Sequence, residues 1–421
     1  MNYSSIITIT EQNVNITIEC PDYGSYDIYL LNQFSFWLEG IVKCVFAVAG
    51  LIGNFVSARI LKKEDMRNSF NLMLIALVCM DSTYLLSSII ESFRISFNMA
   101  TELHIHLFPY LLYPVLSVAM TASVFMTVGI ALERYIAVHY PIDYSQAINS
   151  QEACKKRLLR YVIPVTLLSL IFNIPKIFEA EVYDEINIAQ YNETHEQVEY
   201  YKAIRTTELR KNPDYVIYYN NWVRLMVIGI VPFFLLIYFN YKIYQDVKDR
   251  NITRQRRTST HTSSANQQTR RKQEDNLAIV FMGIVLVFLV CHFPRLFLSM
   301  YECIVIREAF ICQKKGLHSF PVWLLLTSGF SHVLLVINSS VNMFLYIFLN
   351  ESFRKHFVAM FQTPKGLLNC NCTCLRKEAQ ENGSNTSGGD NNQTQIYNMS
   401  PSLHGKITKH DDNKVSIESK V

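Results

Sequence analysis

Apolar and polar positions alternate along this chain on a long scale. Seven predominantly apolar stretches, near 36–61, 69–93, 107–138, 157–179, 216–246, 275–301 and 319–348, are separated by polar segments. A helix needs about 20 mostly apolar residues to cross a bilayer, and each stretch is long enough. In lipid every backbone donor and acceptor must be satisfied internally, which leaves helices or a closed barrel. The two-residue alternation of barrel strands is missing, so the pattern predicts helices. After the seventh stretch, Glu351-Ser352-Phe353-Arg354-Lys355-His356-Phe357 with Met360 and Phe361 reads as a short amphipathic helix on the membrane surface. The predicted fold is an all-α membrane protein, a seven-transmembrane helix bundle with a short amphipathic eighth helix. Its parts are an outer tail at 1–35, the bundle at 36–348, the amphipathic segment at 349–374 and a polar tail at 375–421. Residues 248–274 and 375–421 are rich in polar residues and predict disorder.

Composition supports the membrane reading: half of the residues are apolar, 18% are charged and the mean hydropathy is +0.13. Lys and Arg then orient the chain. Residues 1–42 hold neither, whereas Arg59, Lys62, Lys63 and Arg67 follow the first stretch. Lys155, Lys156, Arg157 and Arg160 lie in the second loop of that side, and the segment from Lys248 to Lys272 is strongly basic. The N-terminus is expected outside and the C-terminus in the cytoplasm, across the plasma membrane. The sequons at Asn2, Asn15 and Asn192 all fall outside as glycosylation candidates. With no signal peptide ahead of the polar N-terminus, the first helix is expected to direct insertion. The net charge of +4 belongs to this topology and gives no reason to infer nucleic-acid binding.

Other membrane functions find little support. No internal repeat or broken-helix pair suggests a transporter, and no polar stripe suggests a pore. No His/Asp/Glu cluster with metal or nucleophile spacing shares a depth, so an enzyme is not expected.

The motifs are more specific. Gly53-Asn54 lies in the first stretch, Asn71-Leu72 with Leu77 and Asp81 in the second, and Leu132-Glu133-Arg134-Tyr135 ends the third. Pro232 lies in the fifth, Phe288 with Cys291-His292-Phe293-Pro294 in the sixth, and Asn338-Ser339 with Asn342-Met343-Phe344-Leu345-Tyr346 in the seventh. In this order the chain resembles the rhodopsin-like (class A) G-protein-coupled receptors over roughly 36–360. Tyr113-Pro114, Asn173-Ile174-Pro175-Lys176, Glu208-Leu209-Arg210 and Cys291-His292-Phe293-Pro294-Arg295 narrow the likeness to invertebrate neuropeptide receptors of the FMRFamide-receptor type.

That resemblance implies an extracellular peptide ligand, RFamide-like, and a heterotrimeric G protein, with arrestin and receptor kinases as further partners. A ligand-independent receptor of the same fold, or one for a non-peptide ligand, is the alternative. Glu91, Tyr113, Leu116, Trp222, Arg224, Phe293, Arg295, Glu302 and His332 are the candidate ligand residues. Glu91 or Glu302 would take a ligand arginine bidentately, and the aromatics would stack on ligand rings. Glu39 and Lys43, one turn apart, read as a simple pair. Leu116 stands where amine receptors place Asp, and no Lys between Pro321 and Phe348 can bind retinal. Glu133, Arg134, Tyr135, Glu274, Phe288, His292, Pro294, Asn342 and Tyr346 are the candidate switch. Arg134 is expected to pair with Glu133 and Glu274, at about 1 kcal/mol for a wet Arg–carboxylate contact. Asp81 with Ser123, Asn338 and Ser339 would hold an allosteric Na⁺, no other cofactor being required; a protonated Asp81 in an ion-free network is the competing reading.

Departures from the family pattern matter as much. Pro109 stands where a Cys usually ties the third helix to the second outer loop, and 180–215 has no Cys. A Cys303–Cys312 bridge would close a short outer ring worth about 2–3 kcal/mol; the other reading leaves Cys20, Cys303 and Cys312 free or otherwise paired. Met343 replaces a usual Pro, His292 a usual Trp and Asn240 a usual Tyr. Cys370, Cys372 and Cys374 are palmitoylation candidates, their spacing fitting zinc poorly. The terminal Ser419-Lys420-Val421 is a candidate strand for a PDZ domain.

Overall fold

The computed structural model describes residues 4–11, 14–66, 68–148, 150–186, 200–257 and 265–362, with side chains over 19–66, 68–148, 150–185, 201–253, 276–360 and 362. Among them seven helices are long and apolar enough to cross a membrane. These are α1 (Ser25–Leu61), α2 (Ser69–Ile95), α3 (Glu102–His139), α4 (Gln151–Phe178), α5 (Tyr215–Thr253), α6 (Asn276–Lys314) and α7 (Val322–Ser340). Side chains cap several starts: Asn68 Oδ1 accepts from the Asn71 amide at 2.8 Å, Thr101 from His104 at 3.2 Å and Ser150 from Ala153 at 3.2 Å. Leu167, Leu168 and Ile171 of α4 and Phe234 and Tyr238 of α5 face outward and exposed, as lipid contact requires.

The helices depart from even winding in several places. Wide π-type turns occupy Ser35–Val42, Phe108–Leu112, Tyr215–Val223 and Leu225–Ile230, a deviation that rotates the side chains beyond it. The seventh span is interrupted at Val341 and resumes as Asn342–Leu349, even with Met343 in place of proline. Here the Ser340 hydroxyl donates within 2.7 Å of Val336 O and 3.0 Å of Phe46 O, drawing the helix onto α1. Gly50 makes this approach possible, because a Cβ there would lie 2.3 Å from Ser340 Oγ. A further helix, α8 (Glu351–Gln362), follows, its start capped by Asn350 and its Phe353 ring 5.4 Å from Tyr346. The largest apolar core joins Phe70, Leu77, Met126, Ile243, Phe281 and Phe288, toward the end of the bundle that carries Arg134.

Two hairpins lie outside the bundle. β1 (Ser4–Glu11) pairs antiparallel with β2 (Val14–Pro21), Ser4 opposite Pro21. β3 (Ala180–Ile186) pairs antiparallel with β4 (Tyr200–Thr206), Ala180 opposite Thr206. The Cys303–Cys312 bridge is incorrect: Cys312 bonds Cys20, and Cys303 is a buried thiol. The apolar pattern ends the sixth span near 301, but α6 continues to Lys314. Nine residues of unbroken helix hold two Cα atoms about 13 Å apart, far beyond disulfide reach. The Cys20–Cys312 bond instead ties the segment before α1 to the end of α6. Tyr23 reinforces it, stacking on His318 at 3.6 Å and donating to Phe320 O. Asn2, Asn192, Cys370, Cys372, Cys374, Ser419, Lys420 and Val421 lie outside the described residues, as do the side chains of Asn15 and Glu274.

Alkylation of the unfolded, unreduced protein is therefore expected to label Cys303 and spare Cys20 and Cys312. Peptide mapping that recovers Cys303 joined to Cys312 would contradict this pairing.

Candidate binding cavity and signalling site

At the disulfide end the helices part around a cavity of about 710 Å³, a size that suits a small ligand or a peptide end. Of the residues expected there, Glu91, Tyr113, Leu116, Arg224, Arg295, Glu302 and His332 line it. Trp222 and Phe293 do not. On α6 the lining positions His292, Arg295, Leu296, Ser299 and Glu302 recur every three or four residues, and Phe293 falls about 100° off that stripe. Phe293 is 58% exposed, and Trp222, beside Asn220, Asn221 and Arg224, is 41% exposed. The floor of the cavity is Phe288 stacked on His292 at 3.8 Å.

Lys43, Glu39, Lys176 and Asn220 also line the cavity. Glu39 lies 3.3 Å from His332 Nδ1, so its partner is on α7 rather than the neighbouring turn. Lys176 is the larger omission. Its Nζ donates to Glu179 Oε1 at 2.8 Å, Glu179 Oε2 at 3.0 Å, Asn220 Oδ1 at 2.8 Å and Tyr113 Oη at 3.1 Å. Glu179 also accepts from Tyr113 at 2.8 Å and from Tyr215 at 2.7 Å. Both charged groups are buried. An ion pair so placed survives only with its remaining lone pairs and hydrogens satisfied, as they are here. Glu179 adjoins β3, and its carbonyl accepts from the Thr207 amide beyond β4 at 3.1 Å. This polar cluster joins α3, α4 and α5 to both ends of the β3–β4 hairpin, where the family's usual disulfide is missing. The i,i+3 Lys–Glu spacing inside an apolar span was the available signal. Burial raises the Glu179 carboxyl, but Lys176, Tyr215 and Arg210 outweigh it and hold the group below its ordinary value. A lowered carboxyl stabilises the fold above its unfolded pKa, and the contribution is lost as pH falls through the lowered value.

Midway down the bundle Asp81 is fully enclosed. Its Oδ1 accepts from Ser123 at 2.6 Å and Ser339 at 3.0 Å, and its Oδ2 from Asn342 Nδ2 at 2.8 Å. Asn338 makes no hydrogen bond to it among the described residues. Asn54 Nδ2 donates to Ser339 O at 3.3 Å, while its Oδ1 is buried without a partner among the described residues. One carboxylate, two hydroxyls that can turn and an unused amide oxygen fit a small hard cation. No group of three His, Cys, Asp or Glu among the described residues suits a transition metal.

At the far end Glu133 and Arg134 are 0% and 1% exposed. Glu133 has a partner that chain order did not suggest: Arg157 of α4 grips it, its Nε 2.7 and 2.9 Å from the two carboxylate oxygens. Ser69 adds a hydrogen bond to Glu133 at 3.2 Å. Arg134 Nη2 donates to Tyr144 Oη at 2.7 Å, and its guanidinium lies 4.4 Å from the Phe70 ring centre. Tyr135 stacks on His139, and Tyr346 is buried. The Lys/Arg pattern marks Arg157 only as a topology charge, and Tyr144 reaches this site from the short helix Pro141–Ala147.

Residues 54–346 match the model of the seven-transmembrane receptor (rhodopsin) family. The chain belongs to that family. This receptor is 30% identical to a Drosophila melanogaster FMRFamide receptor over 337 residues, which cover 78% of this chain and 55% of the relative. It therefore spans about half the length of that protein. A probable G-protein coupled receptor of Caenorhabditis elegans, frpr-1, is 24% identical, with 77% and 78% of the two chains covered. The FMRFamide peptide receptor frpr-18 of the same organism is 24% identical, with 75% and 67% covered. The family is one of receptors, not enzymes.

Lys176→Met is expected to destabilise the purified receptor by about 3–5 kcal/mol, because it strands a buried carboxylate. Adding Glu179→Gln should recover much of that loss in thermal denaturation. Equal melting of wild type and Lys176→Met would show that the pair holds nothing.

Proposed function

We propose that this receptor binds an extracellular amidated neuropeptide of the RFamide type and passes the event to a heterotrimeric G protein at the Arg134 end. The cavity of about 710 Å³ carries the reading, because its wall presents half-buried acids, cations and aromatic rings together in a relative of FMRFamide receptors. Glu302, 3.9 Å from Arg295, is loosely engaged and is the readier acceptor for a ligand arginine. Glu91 is held by Arg94 at 2.7 Å and would have to exchange partners. The Lys/Arg bias supports a cytoplasmic Arg134 end and an outer cavity in the plasma membrane. Arrestin and receptor kinases would share the cytoplasmic face.

The route between the two ends is a column of polar and aromatic contacts. A ligand pressing on His292 and Phe288 would bear on α6 near Pro294, and its effect is bounded by its differential affinity for the two states. Asp81 with Ser123, Ser339 and the Asn54 oxygen would hold Na⁺ in the resting arrangement and release it when α7 shifts. At the inner end the Arg134–Tyr144 bond and the Tyr346 side chain are the groups to rearrange.

In cells expressing the receptor, an RFamide is expected to raise calcium or change cyclic AMP, and Arg134→Ala to abolish that response while peptide binding persists. Response to an amine or a lipid with none to any peptide would overturn the ligand class. Replacing choline by equimolar sodium should weaken peptide binding in wild type and leave Asp81→Asn unaffected; a wild type indifferent to sodium refutes the ion site.

A further inference from the structure

The charged groups of the cavity are unequally matched on its two sides. On the α1, α2, α6 and α7 side each acid has a basic neighbour: Glu39 with His332 at 3.3 Å, Glu91 with Arg94 at 2.7 Å and Glu302 with Arg295 at 3.9 Å. The wall formed by α4, α5 and the helix Glu208–Lys211 differs. Lys176, Arg210 and Arg224 all line the cavity there. Among the described residues one carboxylate answers them, Glu179, at 2.8 Å from Lys176 and 3.9 Å from Arg210.

That carboxylate is already committed to Lys176 and to the Tyr113 and Tyr215 hydroxyls. Arg224 makes its hydrogen bond to a neutral group, Asn173 Oδ1, at 3.0 Å. Arg210 Nη1 is buried with no hydrogen-bond partner among the described residues. Among the described residues of the neighbouring hairpin, Glu181 pairs with Arg205, Asp184 with Lys202, and Glu185 bonds the Tyr183 and Tyr201 hydroxyls. Glu208 pairs with Lys211 on an exposed face at 2.9 Å. Glu179, already shared with Lys176, leaves the guanidinium groups of Arg210 and Arg224 short of negative charge among the described residues of a partly desolvated wall. Guanidinium groups keep their charge, so an anion from outside would relieve the imbalance.

We infer that Arg210 and Arg224 form a subsite for a carboxylate of the ligand, contributed by an Asp or Glu side chain upstream of the amidated end. The inference deepens the peptide-receptor reading and rests on it for the source of the carboxylate. An amidated peptide has no terminal carboxylate, so the acid must be a side chain. Its guanidinium would meet the acids of the opposite wall, and the two subsites would fix the direction in which the peptide lies.

The test uses matched peptides ending in FMRF-amide, with one Asp, or Asn in its place, at each upstream position. On the wild-type receptor one Asp peptide should be at least about tenfold more potent than its Asn twin, as a charge-assisted hydrogen bond implies. Arg224→Gln and Arg210→Gln should each shrink that ratio, and the double variant should bring it close to one. Equal potency of all twins on wild type, or a ratio unchanged by the variants, overturns the subsite.

A second measurement needs no active peptide. N-acetylaspartate amide should raise the melting temperature of the purified receptor more than N-acetylasparagine amide at matched ionic strength, and the double variant should lose the difference. If no FMRF-amide peptide stimulates the receptor, the RFamide reading fails and this comparison alone decides the subsite. No difference in wild type then refutes it.

Discussion

Removing charge and backbone polarity from water is the constraint on which the rest of this receptor depends. In a bilayer it allows only conformations whose backbone bonds close locally, and seven helices follow. It then acts on the side chains. Asp81 has three donors, Glu133 has Arg157 and Ser69, and Lys176 has Glu179, Asn220 and Tyr113. Each cluster joins helices that are distant in sequence, so satisfying the buried ionisable groups and assembling the helices are the same event. These clusters also divide the bundle into levels: a charged cavity, a polar middle and a paired Arg134 end.

The outer architecture shows how a missing covalent link can be compensated. Without a Cys at Pro109, the β3–β4 hairpin is anchored by the buried Lys176–Glu179 pair and the Thr207 backbone bond. The disulfide that does form joins Cys20 to Cys312 and fastens a different segment, the approach to α1. Tyr23 stacked on His318 continues that attachment toward α7. The cavity is therefore bordered by one covalent and one ionic anchor, and the ionic one shares Lys176 with the cavity wall. One residue thus belongs both to the hairpin anchor and to the cavity wall.

Much of this was legible in the order of the residues. The seven spans are read from apolar runs because the length of a span and the exclusion of charge from its middle are one-dimensional properties. Asp81, Glu133 and Arg134 stand out because an ionisable group in an apolar run needs a physical reason. The charged cavity residues Glu91, Arg295 and Glu302 were also identifiable, since each is an ionisable group within or just beyond an apolar run.

What the chain order left open depends on helix phase and helix ends. Phe293 and Trp222 looked like ligand residues, but the rotation per position about the helix axis puts Phe293 outside the cavity, and Trp222, on a π-type turn, does not line it either. Cys303 and Cys312 looked like a short ring until α6 proved continuous between them. Glu133 has Arg134 beside it in sequence, and packing adds Arg157, because facing helices bring together residues distant in the chain. Apolar periodicity carries the number, depth and character of the helices. Their rotation, their true ends and the partner each charge selects arise only when the helices pack, because those are properties of pairs of surfaces and no single segment contains them.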